Sequence, residues 1–379
     1  KEESLRFIVS NTTEAGIVLD ESDRFELCPP NTYPGKLCKL LFERAEAFDY
    51  AADKGLVILP VELIDDNGIE LKRCVKALAR LWKLGERFEN WLDEACVFTS
   101  TLVDRIVPGY PRDEVEAIWQ KLGYEDRLLV TGEPFALWVI ESEKNISGEL
   151  PLDKIGLPVV FTDNLKPYRD RKVRVLNGAH TGSVLGAYLC GQSIVRDCMY
   201  DPVVGEFIRR IVMEEIVPQV KLPTQQVQAF AASVFERFEN PFIAHALLSI
   251  SLNSVSKWKA RVLPTFRDHY DTCKEIPRLI TFSFAALLAF YRSADLRPDG
   301  LYAKRSDGTE YVIHDDAAVL EFFAANSEKN DEDYVSAIAA NTAFWGEDMT
   351  AYPAFAQTVT HWLQQLQKDA VQAVKNVLQ

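Results

Sequence analysis

The sequence has no HExxH pair and no cluster of candidate metal ligands, and histidine occurs only five times in 379 residues. That sets metal-assisted hydrolysis aside. It has no GxSxG elbow and no Walker A loop, the usual marks of an α/β-hydrolase and a P-loop nucleotidase. It has no GxGxxG turn, which a dinucleotide enzyme needs near its first strand. Its seven cysteines are odd in number and none are spaced CxxC, so they read as reduced thiols of an intracellular protein. No apolar run reaches the roughly 18 residues of a membrane span, and no signal peptide is evident. Basic residues are outnumbered 42 to 56, giving a net charge of -14. Nucleic acid, which requires a basic surface, is excluded as a partner, whereas a local basic pocket for a small anion is not. There is no internal repeat and no low-complexity tract.

What is present is a chain long enough for two domains, with 47% hydrophobic residues to fill their cores. "LRFIVS" (5–10) and "LVILPVEL" (56–63) read as buried strands. "PGKLCKLLFERAEAFDYAADKG" (34–55) reads as a helix, with Pro34 in its first turn and Gly55 as its C-terminal cap. A second helix follows "DDNG". Strand–helix alternation with uninterrupted apolar strands predicts a parallel sheet covered on both faces. Segments 128–141 and 157–163 add strands, read as antiparallel. After about residue 165 every segment has helical spacing, apart from an exposed loop or hairpin over 292–311. The expected fold is therefore a Rossmann-like α/β domain over 1–165 followed by a mostly α-helical domain over 166–379. Because the sequence opens at once with a strand, the α/β domain is expected to lack its beginning.

Chemistry concentrates in "RDRKVRVLNGAHTG" (169–182). Lys172, Asn177 and His180 lie at offsets of five and three, within an arc of about 140° on an α-helix, close enough to serve one cleft. A lysine near Arg171 and Arg174 is a tunable proton donor, an asparagine can stabilise an oxyanion, and a histidine can bind a hydroxyl. The set suits a carbonyl–alcohol interconversion without a metal. The same residues also read as a helix start with solvated cations and a core histidine. Gly178 and the small residues after it would admit a ligand or another backbone. "VELIDDNG" (61–68) ends a strand where ligands of open α/β sheets bind, so Asn67 is a second amide donor or a plain turn residue. Asn11, Thr12 and Glu14 in "NTTEAG" also follow a strand and are candidates to meet a cofactor, or to cap a helix. Asp104 and Arg105 read as an ion pair. Lys257 and Arg261, at i,i+4 in "ISLNSVSKWKARVLP", form a fork for a carboxylate or a solvated basic face. "HDD" (314–316) reads as a solvated loop.

Taken together these segments resemble the mannitol dehydrogenase family, zinc-independent long-chain polyol dehydrogenases, over essentially the whole chain. The family signature K-x4-N-x2-H is matched by Lys172, Asn177 and His180 in "KVRVLNGAH". The resemblance implies a lysine acid/base, asparagines polarising the substrate oxygen, and a histidine positioning substrate. It places Asn67 as one such asparagine, with Leu63 where many members carry another. It places Asp104 of "VDRI" among the substrate residues and Glu14 in a cofactor-side turn. "SNTTEAGI", "LPVELIDDNG" and "TLVDRIVPGYP" are most similar to the branch that reduces the ketone of D-tagaturonate to D-altronate. NAD is the implied cofactor and a hexuronate the implied substrate, in a cytoplasmic monomer or small homo-oligomer. Fructuronate or mannitol chemistry is the alternative within the family. A non-catalytic sugar-acid-binding protein on a decayed dehydrogenase scaffold is the alternative outside it. The family's Gly-rich pyrophosphate turn and its NAD-selecting acidic residue, about 100 residues' worth of half-domain, are not in this sequence.

Overall fold

The computed structural model describes residues 1–379 except Glu14, Pro108, Gly109 and Asp113. The chain divides into two compact units, Lys1–Tyr168 and Arg169–Gln379.

In the first unit the order is β1 (Phe7–Ser10), α1 (Tyr33–Ala47), β2 (Val57–Pro60), α2 (Asn67–Leu81), α3 (Glu86–Glu94) and β3 (Val97–Phe98). The three strands form a parallel sheet, β1–β2–β3, with Phe7 opposite Val57 and Val57 opposite Val97. Strand β2 is buried along its whole length. Ile58 faces a core built from Leu37, Leu41, Leu71, Val75 and Leu78. Val57 and Leu59 face a second core with Ile140 and Ile146. The two-residue period of a strand thus feeds both faces, which is why β2 reads as a continuous apolar run. Helix α1 starts as expected, with Thr32 Oγ1 accepting from Gly35 N–H at 3.0 Å and proline in the first turn. It ends sooner than the sequence predicts. The chain reverses at Asp49 and Tyr50, both with positive φ. Gly55 is therefore not the cap of α1 but closes the separate 3-10 turn Ala52–Lys54. It is required because a Cβ there would lie 2.0 Å from the Ala95 carbonyl oxygen.

A second sheet follows: β4 (Ser100–Asp104), then, after α4 (Val115–Leu122), β5 (Leu137–Glu141) and β6 (Val159–Thr162). β4 and β5 are antiparallel, whereas β5 and β6 are parallel. The predicted strand over 128–141 is thus only its last five residues.

The second unit begins inside α5 (Lys166–Arg171), which runs through a π-helical turn (Lys172–Asn177) into α6 (Gly178–Leu189). Then come α7 (Val195–Tyr200), α8 (Val204–Arg210) with a second π turn (Ile211–Ile216), α9 (Thr224–Phe238), α10 (Leu247–Ile250), α11 (Ser254–Arg261), α12 (Leu263–Cys273) and α13 (Arg278–Tyr291). A meander of β7 (Asp295–Arg297), β8 (Gly300–Lys304) and β9 (Glu310–Ile313) follows, so 292–311 is a hairpin with a buried inner face. Helices α14 (Ala317–Asn326), α15 (Asp331–Ala339), α16 (Thr342–Trp345), α17 (Phe355–Lys368) and α18 (Ala370–Val377) complete the chain. Helix α13, apolar on all sides, is the hub, packed by α6 and α17. Its first N–H groups are held by the buried Glu215, which accepts from Leu279 and Ile280 at 2.8 Å each. Among the described residues no helix is long and apolar enough to cross a membrane.

Candidate active site

The segment carrying Lys172, Asn177 and His180 is one continuous helix, but not a regular one. At the π turn Gly178 N–H bonds back to the Val173 carbonyl, an i→i+5 bond. In an α-helix residues five apart are separated by about 140° around the axis. Admitting one more residue per turn gives them the offset that residues four apart have in an α-helix, about 40°. The π turn therefore brings Lys172 and Asn177 into line more closely than their sequence spacing predicts. Single π turns of this kind recur at functional sites.

Gly178 explains the small residues that follow. A Cβ on it would stand 3.2 Å from the Arg261 carbonyl oxygen and 3.5 Å from that of Val173. The close approach is thus to another backbone, the end of α11. Gly182 similarly admits Ile211, and Gly186 admits Ala286.

His180 lies on the first turn of α6. Its ring stacks on Phe238 with centroids 4.2 Å apart, and His245 meets it edge-on at 5.4 Å. Its Nε2 is buried and meets no hydrogen-bond partner among the described residues. A buried polar atom without a partner is costly and calls for an explanation. Burial is the main force pushing the His180 pKa down to about 3, and the charges of His245, Arg261, Arg237 and Lys257 push the same way. The imidazole is therefore neutral near pH 7, with one nitrogen able to donate and one to accept. The guanidinium groups of Arg261 and Arg237 and the Lys257 ammonium add positive charge around His180, although the protein carries -14 overall.

Lys257 and Arg261 stand on α11, within electrostatic reach of His180. Lys257 Nζ donates to the Ile250 carbonyl at 3.0 Å. Burial lowers the pKa of both, and for Lys257 the neighbouring Arg261 adds to the effect. Arg171 and Arg174 have separate duties: Arg171 lies over the Phe230 ring at 4.4 Å, and Arg174 pairs with Asp268. His245 was not singled out from the sequence, although in a chain with five histidines its scarcity was a usable signal. "HDD" is the expected loop, with His314 and Asp316 exposed, but Asp315 between them turns inward, its carboxylate accepting from Tyr291 Oη at 2.6 Å.

The remaining candidates belong to the first unit. Asn67 is 1% exposed. Its Nδ2 donates to the carbonyls of Pro60, Glu62 and Thr101, and its Oδ1 accepts from Gly68 and Thr101 N–H, all at 2.9–3.1 Å. This corrects the sequence expectation. Both amide hydrogens are committed to backbone, so Asn67 ties the end of β2 to β4 and has no proton left for a substrate oxygen. Asn11 and Thr12 are exposed just past β1, and Thr12 is anchored by its N–H and hydroxyl to Glu62 at 3.0 and 2.9 Å. Glu14 lies outside the described residues. Asp104 is buried at the end of β4. Arg105 donates to the Glu133 carbonyl at 3.0 Å. Among the described residues no group of three or more histidine, cysteine or acidic side chains is arranged to hold a metal.

Residues 2–154 match the model of the mannitol dehydrogenase Rossmann domain, and residues 164–367 that of the mannitol dehydrogenase C-terminal domain. The altronate oxidoreductase of Yersinia enterocolitica is 45% identical over 370 residues, covering 96% of this chain and 74% of that protein. That of Bacillus subtilis is 42% identical over 373 residues, covering 98% and 74%. Among solved structures, a substrate-free D-sorbitol dehydrogenase superposes with a TM-score of 0.78 at 20% identity, covering 97% of this chain and 74% of that one. Pseudomonas fluorescens mannitol 2-dehydrogenase, in a ternary complex with NAD and D-mannitol, superposes with 0.65 at 22%, covering 100% and 75%.

Proposed function

The chain belongs to the mannitol dehydrogenase family, and from that premise we propose that it interconverts D-tagaturonate and D-altronate with NAD. The observation that carries the reading is the neutral His180, its buried Nε2 unpartnered, in a setting of positive charge. A hexuronate answers both features, with hydroxyls for the imidazole and a carboxylate for the cations.

NAD, when bound, supplies or takes up the hydride. Asn11 and Thr12, polar and exposed at the carboxyl end of a parallel strand, fit one side of such a cofactor. The rest of the chemistry belongs to side chains of the second unit. Lys172 gives a proton to the oxygen of the reduced ketone and removes it in the reverse direction. Asn177 donates an amide hydrogen to the same oxygen, where negative charge develops, and electrostatic stabilisation of this kind is commonly the largest single contribution. His180 holds a neighbouring hydroxyl through its buried nitrogen. Lys257 and Arg261 receive the carboxylate. Asn67 acts indirectly, by fixing the β2–β4 connection.

NADH oxidation measured with D-tagaturonate, D-fructuronate and D-fructose tests this. The expected order of kcat/KM has tagaturonate first and the uncharged ketose last. Fructose at or above tagaturonate would overturn the assignment.

A further inference from the structure

Helix α11 is not capped by its own residues. Its N-cap, Asn253, has φ 53 and its side chain makes no capping bond. The first N–H groups of any α-helix lack partners within the helix, and here they are met from elsewhere in the chain. Ser254 N–H donates to Tyr291 Oη at 3.2 Å, and Val255 N–H donates to Asp315 Oδ2 at 3.3 Å. Tyr291 Oη–H donates to that same carboxylate oxygen at 2.6 Å, and Asn253 N–H donates to the His314 carbonyl at 3.0 Å. Tyr291 is the last residue of α13 and fully buried, and Asp315 follows β9. Three segments distant in sequence therefore meet at the first turn of α11. A carboxylate there is also favoured by the helix dipole.

Lys257 and Arg261 project from this helix, whose eight residues span about 12 Å. A change in attitude at its first turn is carried directly to both cations. The far end is closely packed, since Gly178 leaves only enough room for the Arg261 carbonyl. The start is where the helix can be mis-set.

We propose that Tyr291 and Asp315 are positioning residues for substrate recognition: together they fix the start of α11 so that Lys257 and Arg261 present a correctly directed fork to the substrate carboxylate. This rests on the reading above, in which that fork receives the carboxylate. A carboxylate bound at two points is sensitive to direction as well as distance, so a small tilt weakens binding without touching the proton-transfer residues.

Tyr291→Phe, Asp315→Asn and Arg261→Gln, made in the full chain, test the proposal through the kinetics of D-tagaturonate reduction by NADH. Tyr291→Phe keeps the buried ring and removes one oxygen, and Asp315→Asn keeps the shape at a partly exposed position. Both are expected to raise KM about tenfold with kcat nearly unchanged, the signature of lost substrate binding rather than lost chemistry. Arg261→Gln is expected to raise it at least as much. Unchanged KM in Tyr291→Phe and Asp315→Asn, with KM raised in Arg261→Gln, would overturn the positioning role alone. So would a fall in kcat at constant KM. Unchanged KM in Arg261→Gln would overturn the carboxylate reading, and the proposal with it.

Discussion

Replacing His180 by glutamine should flatten the acid side of the protein's stability profile. In the folded protein the His180 pKa is pushed from 6.5 down to about 3, first by burial and then by His245, Arg261, Arg237 and Lys257. The folded pKa lies below the unfolded one, so the unfolded chain takes up a proton at pH values where the folded chain does not. Stability is then fully present above the unfolded value of 6.5 and is lost as pH falls toward 3. One pKa unit corresponds to about 1.4 kcal/mol, so at pH 5 the wild type should have lost about 2 kcal/mol through this residue. Glutamine does not titrate and loses nothing by this route. His245 and His269, whose pKa values burial also lowers, are present in both proteins and largely cancel in the comparison. Urea unfolding of wild type and His180→Gln at pH 7 and pH 5 supplies the four numbers. The wild type should lose more stability between the two pH values than the variant does. Equal losses, or a larger one in the variant, would refute the claim that His180 is held neutral by its surroundings.

Two further substitutions probe the architecture around the site. Gly178→Ala places a methyl 3.2 Å from the Arg261 carbonyl, so α11 must give by a few tenths of an ångström; alanine's helix preference of about 1 kcal/mol offsets the strain, so thermal melts should shift little while KM for tagaturonate rises. Asn67→Ala removes an amide bonded to five backbone groups. It should destabilise the protein by about 3 kcal/mol or more, since buried partners are left unsatisfied, and a variant with wild-type stability but low kcat would restore Asn67 to the chemistry.

The parts of this structure legible in the sequence are those determined over short distances. The apolar run at 56–60 is a strand buried on both faces, because alternate residues feed two cores and both must be apolar. Pro34 marks the start of α1, because the first turn of a helix is settled locally. Lys172, Asn177 and His180 could be read as a group because they share one stretch of helix. Properties decided by distant partners were not legible. The π turn at 172–177 has no composition that marks it off from an α-helix. Asn67 looks the same in sequence whether its amide is free or bonded to Pro60 and Thr101. Gly55 reads as the cap of α1 until Ala95 is placed beside it. His245 and Asp315 gain roles only once the fold brings them to His180 and to α11.

The most direct test of the account is turnover of Lys172→Ala, measured as tagaturonate-dependent NADH oxidation beside the wild type, with a melting curve on each. Wild type should turn over, and the variant should melt alike but lose about 10²- to 10⁴-fold in kcat, the contribution of a positioned acid/base. A variant with the wild-type rate, or a wild type without tagaturonate-dependent turnover, would contradict it.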